Sequence, residues 1–492
     1  MQGIGRALSL SFTAGLSALL LAGPALTQEA ESQKGKIPIT TSSEEARQLY
    51  LKGRALAENL RATDARGLLQ QAVAKDPNFA LAHLMLANSA GTAKEFFDAM
   101  NRAVVVSGKV SEPERLMILG QDAGVKGDPA GQKAHYTRLL SLSPGDERAQ
   151  TAVGTYYFGL QDFASAVEHL RKATAANPAH APAYNMLGYS YRSLQKYPEA
   201  EQAFKKYIEL IPNDPNPYDS YAELLMKTGR FKESIVQYEK ALAKDPNFVA
   251  SYVGISTDHV LLGSPEQARH SLGKLEAAAR NVGERRQALL WTAASYVHEG
   301  AHDKALEAVQ RMYALAEKDG DKAGMSGDLN LMGDILLDAG RPDEALAKYA
   351  QCVEAIGSAD VPEEVKAATR RNGLYDEARV ALARKDIKTA RLKAEAYAKE
   401  VATKQAPFEV RQQHQLAGLL ALQEGDHARA VAELKQASQQ DPRVLYQLGL
   451  AYQAQGDAAK ARELLDAAAN FNGLNFNYAY VRRRAQQALA KG

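Results

Sequence analysis

Five residues of this 492-residue chain match a metal-hydrolase pattern: His298-Glu299-Gly300-Ala301-His302 spells H-E-x-x-H. Zinc chemistry of that kind needs both histidines on one helical face, with the glutamate beside a metal-bound water. The segment aligns instead with Gln453-Ala454-Gln455-Gly456-Asp457, where Gly456 marks a turn between two helices. At such a turn the histidines do not stand one helical turn apart on one face, and no third ligand is evident. A solvated turn is the preferred reading, and a zinc-dependent hydrolase using His298, Glu299 and His302 is the alternative. Ser193 to Lys196 and Ser271 to Lys274 match S-x-x-K, and Lys227-Thr228-Gly229 matches K-T-G. Serine acylases hold these motifs in separate elements of an α/β domain, whereas here the first and last fall at hairpin turns. The chain has no G-x-x-x-x-G-K phosphate loop, no G-x-S-x-G elbow and no metal-binding Cys/His cluster. Catalysis is not expected, and no cofactor or metal is called for.

The elements that carry these matches repeat. Pro178, Pro212 and Pro246 recur at intervals of 34 residues. Gly154 and Tyr157 precede the first, Gly188 and Tyr191 the second, and Ala222 and Leu225 the third, at fixed offsets. Ala166, Ala200 and Ser234 follow, then Leu170, Phe204 and Tyr238, then Ala173, Tyr207 and Ala241. A small residue lets two helices approach closely, a large apolar one fills the gap between them, and proline ends the second helix. At this period the pattern resembles the tetratricopeptide repeat family. The best match runs from Ala181 to Pro212, through Tyr184, Leu187, Gly188, Tyr191, Ala200, Phe204 and Tyr207.

The resemblance extends over nearly the whole chain, with repeat starts near 46, 80, 113, 147, 181, 215, 249, 286, 326, 371, 411 and 442. It implies an all-α, right-handed superhelical solenoid of antiparallel helix pairs, about twelve repeats closed by a C-terminal capping helix. A regular array is placed at 44–283, a longer and less regular one at 284–474, and the capping helix at 475–492. In this family the first helix of each pair lines the concave face, with the second, fifth, ninth and twelfth positions projecting inward. Those positions include Arg148, Thr151, Thr155 and Phe158, then Asn185, Tyr189 and Arg192, then Asn216, Asp219, Glu223 and Met226, with Asn330, Asp334, Tyr375 and Arg379 further on. A mixed polar surface with apolar anchors suits an extended peptide or a helix. The carboxylate-gripping Lys and Asn pair of some relatives is absent: Asn88 holds a ninth position, but Leu84 sits at its fifth.

Composition agrees. Alanine, leucine, lysine, glutamate and glutamine favour helix. Sixty basic and fifty-eight acidic residues give a net charge of +2, too small a field to suggest nucleic acid as partner. The single cysteine, Cys352, has no disulfide partner within the chain. Arg6, the apolar stretch Ala7 to Ala22 and the break at Gly23-Pro24-Ala25 read as a signal peptide over 1–27, cleaved between Ala25 and Ala30. No later stretch is apolar enough to cross a membrane, so a periplasmic or secreted protein is expected. Residues 28–43 read as a flexible lead-in, with Ser42 or Ser43 capping the first helix. Arg482-Arg483-Arg484 reads as a solvated face of the last helix. The expected function is that of an exported scaffold or adaptor for a protein or peptide ligand. Another possibility is a regulatory module, since Ser111-Glu112-Pro113-Glu114-Arg115 resembles repeats attached to bacterial signalling kinases. Partner identity and oligomeric state stay open.

Overall fold

The computed structural model describes residues 35–491, and among them only helices and their connections occur. The expected signal segment lies outside the described residues. The chain divides into two compact units: one runs to Leu224 and includes Val236–Ser251, and the other takes Leu225–Ile235 and continues from Tyr252.

Among the described residues twenty-five α-helices follow in order, twelve pairs and a last single one. The first six pairs are α1 Glu44–Glu58 with α2 Ala62–Lys75, α3 Ala80–Asn88 with α4 Ala93–Val106, α5 Glu112–Val125 with α6 Pro129–Leu142, α7 Glu147–Gly159 with α8 Phe163–Ala176, α9 Ala181–Ser193 with α10 Tyr197–Leu210, and α11 Asn216–Lys227 with α12 Phe231–Lys244. The next six are α13 Val249–Leu261 with α14 Pro265–Ala278, α15 Val282–Glu299 with α16 His302–Lys318, α17 Lys322–Asp338 with α18 Pro342–Gly357, α19 Glu363–Ala383 with α20 Ile387–Lys404, α21 Pro407–Glu424 with α22 His427–Gln436, and α23 Pro442–Gln455 with α24 Ala458–Ala469. Helix α25, Tyr478–Lys491, ends the described chain. This is an all-α helical-repeat solenoid.

One rule builds most pairs. The small residue of the first helix faces a large apolar residue sixteen positions later on the second. Leu69, Tyr136, Leu170, Phe204, Tyr238, Leu272, Val309, Tyr349, Leu434 and Leu465 occupy that place, and all are buried. A Cβ added at Gly154 would stand 2.7 Å from Leu170 Cγ, and one at Gly418 would stand 2.6 Å from Leu434 Cγ. The helix axes are therefore closer than any larger residue allows, which explains the periodic glycine and alanine.

Helix ends follow local chemistry. Of the two serines offered as the first cap, Ser43 accepts the Ala46 N–H. Ser111 and Glu114 form a reciprocal capping box at the start of α5, and Asp146 accepts the Arg148 and Ala149 N–H groups at the start of α7. These caps set two carboxylates at the edge of the pairs, where the incoming N-terminal segment meets them.

Candidate functional site

The inward positions of successive first helices form a strip in the N-terminal unit, and its members bond one another. Tyr189 on α9 donates its hydroxyl to Glu223 Oε1 on α11 at 2.8 Å, and Arg192 Nη1 donates to Glu223 Oε2 at 2.9 Å. The Arg192 guanidinium also lies over the Tyr189 ring, 4.6 Å from its centroid. Asp219 is buried and accepts from the Ser251 hydroxyl at 2.7 Å; burial, with Glu223 nearby, pushes its carboxyl well above the usual range. Asn216 is buried and donates to the Tyr207 hydroxyl at 2.9 Å. Thr155 and Phe158 are half-buried on α7, and Phe158 meets Phe163 edge-on. Asn185 is buried, and its Oδ1, like Thr155 Oγ1, has no hydrogen-bond partner among the described residues. Such atoms are ordinarily satisfied by water or a ligand group.

Counting inward positions in the middle repeats alone missed the start of the chain. The same count applied to the first repeat gives Tyr50 and Arg54, and both point into this strip's surroundings. Arg54 and Glu58 on α1 lie within electrostatic reach of Asp146, Arg148 and His180. The Tyr207 hydroxyl donates to Asn59 Oδ1 at 3.3 Å, and Arg61 Nε pairs with Asp245 at 3.5 Å. Burial raises the Glu58 carboxyl to about 8 despite Arg54, whose nearest nitrogen is 3.4 Å away. Burial also lowers His180 to about 3, so its ring is neutral at ordinary pH.

The described part of the lead-in is not loose. Ile37 is buried among Leu116, Tyr136, Leu139, Ala149, Val153 and Tyr156. Its N–H donates to Asp146 Oδ2 at 2.7 Å, and its carbonyl accepts from Arg148. The Thr40 N–H and hydroxyl donate to Glu114 at 2.7 and 2.5 Å. The Ser42 N–H and the Thr41 hydroxyl donate to Asp76 Oδ2 at 2.8 and 2.7 Å. Polar composition suggested a solvated segment, but its amides meet cap and turn carboxylates that composition does not reveal. Arg148, expected to face a partner, is thereby bound to the chain itself.

The C-terminal unit gathers a denser ionic cluster. Arg379 Nη1 donates to Asp334 Oδ1 at 2.8 Å and to Asp376 Oδ1 at 2.9 Å. Arg443 Nη1 stands 3.7 Å from Asp334 Oδ2, and the Tyr349 hydroxyl donates to Asp334 Oδ1 at 2.8 Å. Burial pushes the Asp334 carboxyl upward, but Arg379, Arg443 and Tyr349 outweigh it and hold it down at about 2. Asp376 goes the other way, to about 6, through burial. Asn330 donates to Asp376 at 2.9 Å, and buried Tyr375 donates to Gln415 at 3.1 Å. Arg443 is a second-position residue of the last repeat and was readable by the same count.

Helix α25 does more than cap the stack. Ala485 packs with Ala468 and Ala469 of α24, as a cap should. On its other face Tyr478, Tyr480 and Val481 enter a core with Ala293, Val297, Leu329, Met332 and Ile335. Of the arginine triplet, Arg483 and Arg484 are exposed as expected, while Arg482 is buried, and all three have partners in the chain. Arg482 donates to Asn472 at 3.1 Å, Arg483 to the Glu299 carbonyl at 2.5 Å, and Arg484 pairs with Asp338 at 2.9 Å. The Tyr-Ala-Tyr-Val run, overlooked beside the arginines, is what draws the helix inward.

The zinc reading fails on geometry. Helix α15 ends at Glu299, Gly300 takes the left-handed conformation at φ 79°, and His302 opens α16. His298 packs against Tyr478, with ring centroids 5.9 Å apart, and burial lowers it to about 4. His302 bonds Asp338 at 2.8 Å, while Glu299 pairs with Arg269. The three side chains are divided among separate contacts. Gly456, with φ 91°, makes the equivalent turn.

Known proteins share this architecture. Tetratricopeptide repeat models match residues 50–105, 151–215, 253–321 and 421–485, more than half of the chain. Superkiller complex protein 3 of Mus musculus is 29% identical over 110 residues, 22% of this chain and 7% of that protein. Cellulose synthase operon protein C of Xanthomonas axonopodis pv. citri (strain 306) is 27% identical over 222 residues, 43% of this chain and 14% of that one. The matched segments are thus a small part of these much longer relatives. Among solved structures, the APC/C hetero-tetramer Cut9-Hcn1 aligns with 90% of this chain and 81% of that chain, at 14% identity and a TM-score of 0.42. The repeat models, the sixteen-residue pairing rule and the twelve helix pairs agree: the chain belongs to the tetratricopeptide repeat family.

Proposed function

We propose that this chain is an exported scaffold or adaptor that holds a protein or peptide partner and performs no catalysis itself. The observation that carries the reading is continuity: helix pairs account for the described chain from Glu44 to Ala469. Repeat arrays of this family serve protein interaction, offering long surfaces made of many first helices rather than one reaction centre. Among the described residues, no helix is long and apolar enough to cross a membrane. Export rests on the sequence of residues 1–27.

The partner surface on this reading includes the half-buried members of the N-terminal strip: Thr155, Phe158, Arg192 and Glu223. A photoreactive residue at Phe158, activated in living cells, is expected to give a discrete protein adduct that Arg192→Glu diminishes. Equal labelling of many proteins, unaffected by Arg192→Glu, would sink the binding reading. Export is checked separately by fusing residues 1–30 to a phosphatase that is active only outside the cytoplasm. An inactive fusion would place the protein inside.

A further inference from the structure

The segment 36–42 does not merely brace the fold. It reads out a site. Its main-chain donors at Ile37, Thr40 and Ser42 meet Asp146 at the start of pair four, Glu114 at the start of pair three, and Asp76 in the turn that closes pair one and leads into pair two. Two or three extended residues span about 7–10 Å. Packed helices stand about 8–10 Å apart. The segment therefore advances in step with the pairs, running from the fourth to the second before it enters α1.

Each acceptor has one task inside the fold and one toward the segment. Asp146 caps α7, Glu114 closes the capping box of α5, and Asp76 accepts the Asn78 N–H at 3.0 Å. The specificity lies in two places. One is the apolar slot that holds Ile37. The other is the pair of hydroxyl contacts from Thr40 and Thr41, to Glu114 and Asp76. Lys36 adds an ion pair with Glu147 at the far end. Most other contacts read backbone, which any extended segment supplies.

We infer that the edge formed by the first-helix N-termini of pairs three and four, with the turn between pairs one and two, is a binding site for an extended peptide, filled here by the chain's own residues 36–42. The partner it fits carries a basic and an aliphatic residue in succession, then a hydroxyl residue three positions after the aliphatic one. The segment acts as an internal competitor, and a partner must displace it. The inference rests on the binding reading above, but its test uses the chain's own sequence as ligand and needs no knowledge of the natural partner.

The probe is a fluorescein-labelled peptide Gly-Lys-Ile-Pro-Ile-Thr-Thr-Ser, copied from residues 35–42. The host is the full chain carrying Ile37→Glu, because a charge does not enter an apolar slot unpaired. Fluorescence anisotropy should show the variant binding the peptide about tenfold or more tightly than the unaltered chain does. Adding Glu114→Gln, which keeps the helix cap but removes the charge, should weaken binding by about tenfold again. Hydrogen exchange should show the amides of residues 37, 40 and 42 released in the variant. If those amides are released, helicity is unchanged and the peptide still does not bind, the inference is wrong. Should Ile37→Glu not fold, Ile37→Ala gives the same comparison with a smaller contrast. Dimers of the unaltered chain with those amides still protected would assign the edge to a second copy and overturn the internal-competitor reading. A failure here with a discrete Phe158 adduct intact removes this inference and leaves the scaffold reading standing.

Discussion

In the N-terminal unit, the face made by successive first helices is met by residues from the beginning of the chain; in the C-terminal unit, by residues from its end. Helix α1 and residues 36–42 supply the first set: Ile37, Arg54, Glu58 and Asn59. Helix α25 supplies the second: Tyr478, Tyr480 and the arginines 482 to 484. The two solutions differ in kind. The early one is a set of separate hydrogen bonds, several reading only main chain. The late one is a helix sunk in an apolar core beside a compact ion cluster. The lesson is that the repeat dictates each pair, while the ends of the chain decide what covers the pairs' inner residues. The first cover seats Ile37 in an apolar slot and adds hydrogen-bond terms of about 1 kcal/mol each, while the second buries Tyr478, Tyr480 and Val481 on one helix.

The sharpest contrast comes from removing one carboxylate in each unit. Asp334→Ala removes the acceptor that Arg379, Arg443 and the Tyr349 hydroxyl share. Breaking a buried ionic group in this way costs about 3–5 kcal/mol. Glu223→Ala removes the acceptor of Tyr189 and of one arginine, Arg192, rather than two. Its cost should be about 1–2 kcal/mol. Hydrogen exchange read by segment assigns each loss to its own unit, which a single melting curve of a repeat array does not do. Equal losses would erase the distinction drawn between the two clusters.

A second pair of substitutions tests what the units share. Gly154→Ala and Gly418→Ala each force a methyl group against a buried leucine. Overpacking costs about 1–3 kcal/mol, offset by about 1 kcal/mol of helix propensity. Both variants should lose about 1 kcal/mol in urea unfolding, although one lies in a regular pair and the other in a long one. A marked difference between them would show that the pairing rule is not common to both halves.

What the sequence disclosed follows the same division. All but one of the expected repeat starts fall within four residues of an observed first-helix start; α19 begins eight residues earlier than expected, and α15, α17 and α21 each begin four earlier, where these helices gained turns at their starts. The pattern was legible because it is local: sixteen residues separate Gly188 from Phe204, and the turn between them admits one arrangement. The contacts that cover the inner residues are not local. Tyr207 and Asn59 are separated by 148 positions, and Arg483 and Glu299 by 184. No periodicity announces such pairings. The residues nominated as partner contacts were placed on the correct helices by register, but register says nothing about which of them the chain keeps for itself. Asn216, Asp219, Tyr375 and Arg379 turned out to be engaged internally, whereas Phe158 and Thr155 keep part of their surface open.

The last contrast concerns pH and divides the N-terminal cover itself. Glu58 faces Arg54 on its own helix, with Arg148 and Glu147 across from it. Burial raises its folded pKa to about 8, against about 4.3 in the unfolded chain. A raised pKa means the folded chain binds the extra proton. The contribution is fully present below the unfolded value and is lost as pH climbs toward the folded one. The N-terminal unit should therefore weaken between about pH 5 and pH 8, by at most about 1.4 kcal/mol per unit. Asp146 and Asp76 work in the opposite sense. Burial pushes both upward, but Arg148 and the Ile37 N–H hold Asp146 low, and the Thr41 hydroxyl and the Ser42 N–H hold Asp76 low. Their contribution is present above the ordinary carboxylate range and fades as pH falls through their folded values, so acid should release residues 36–42 while it strengthens the seat of α1. Glu58→Gln should flatten the loss between pH 5 and pH 8 and leave the acid release of 36–42 untouched, as segment-resolved hydrogen exchange at pH 3, 5 and 8 will read. If the variant altered both together, α1 and residues 36–42 would be one coupled piece of that cover rather than two independent ones.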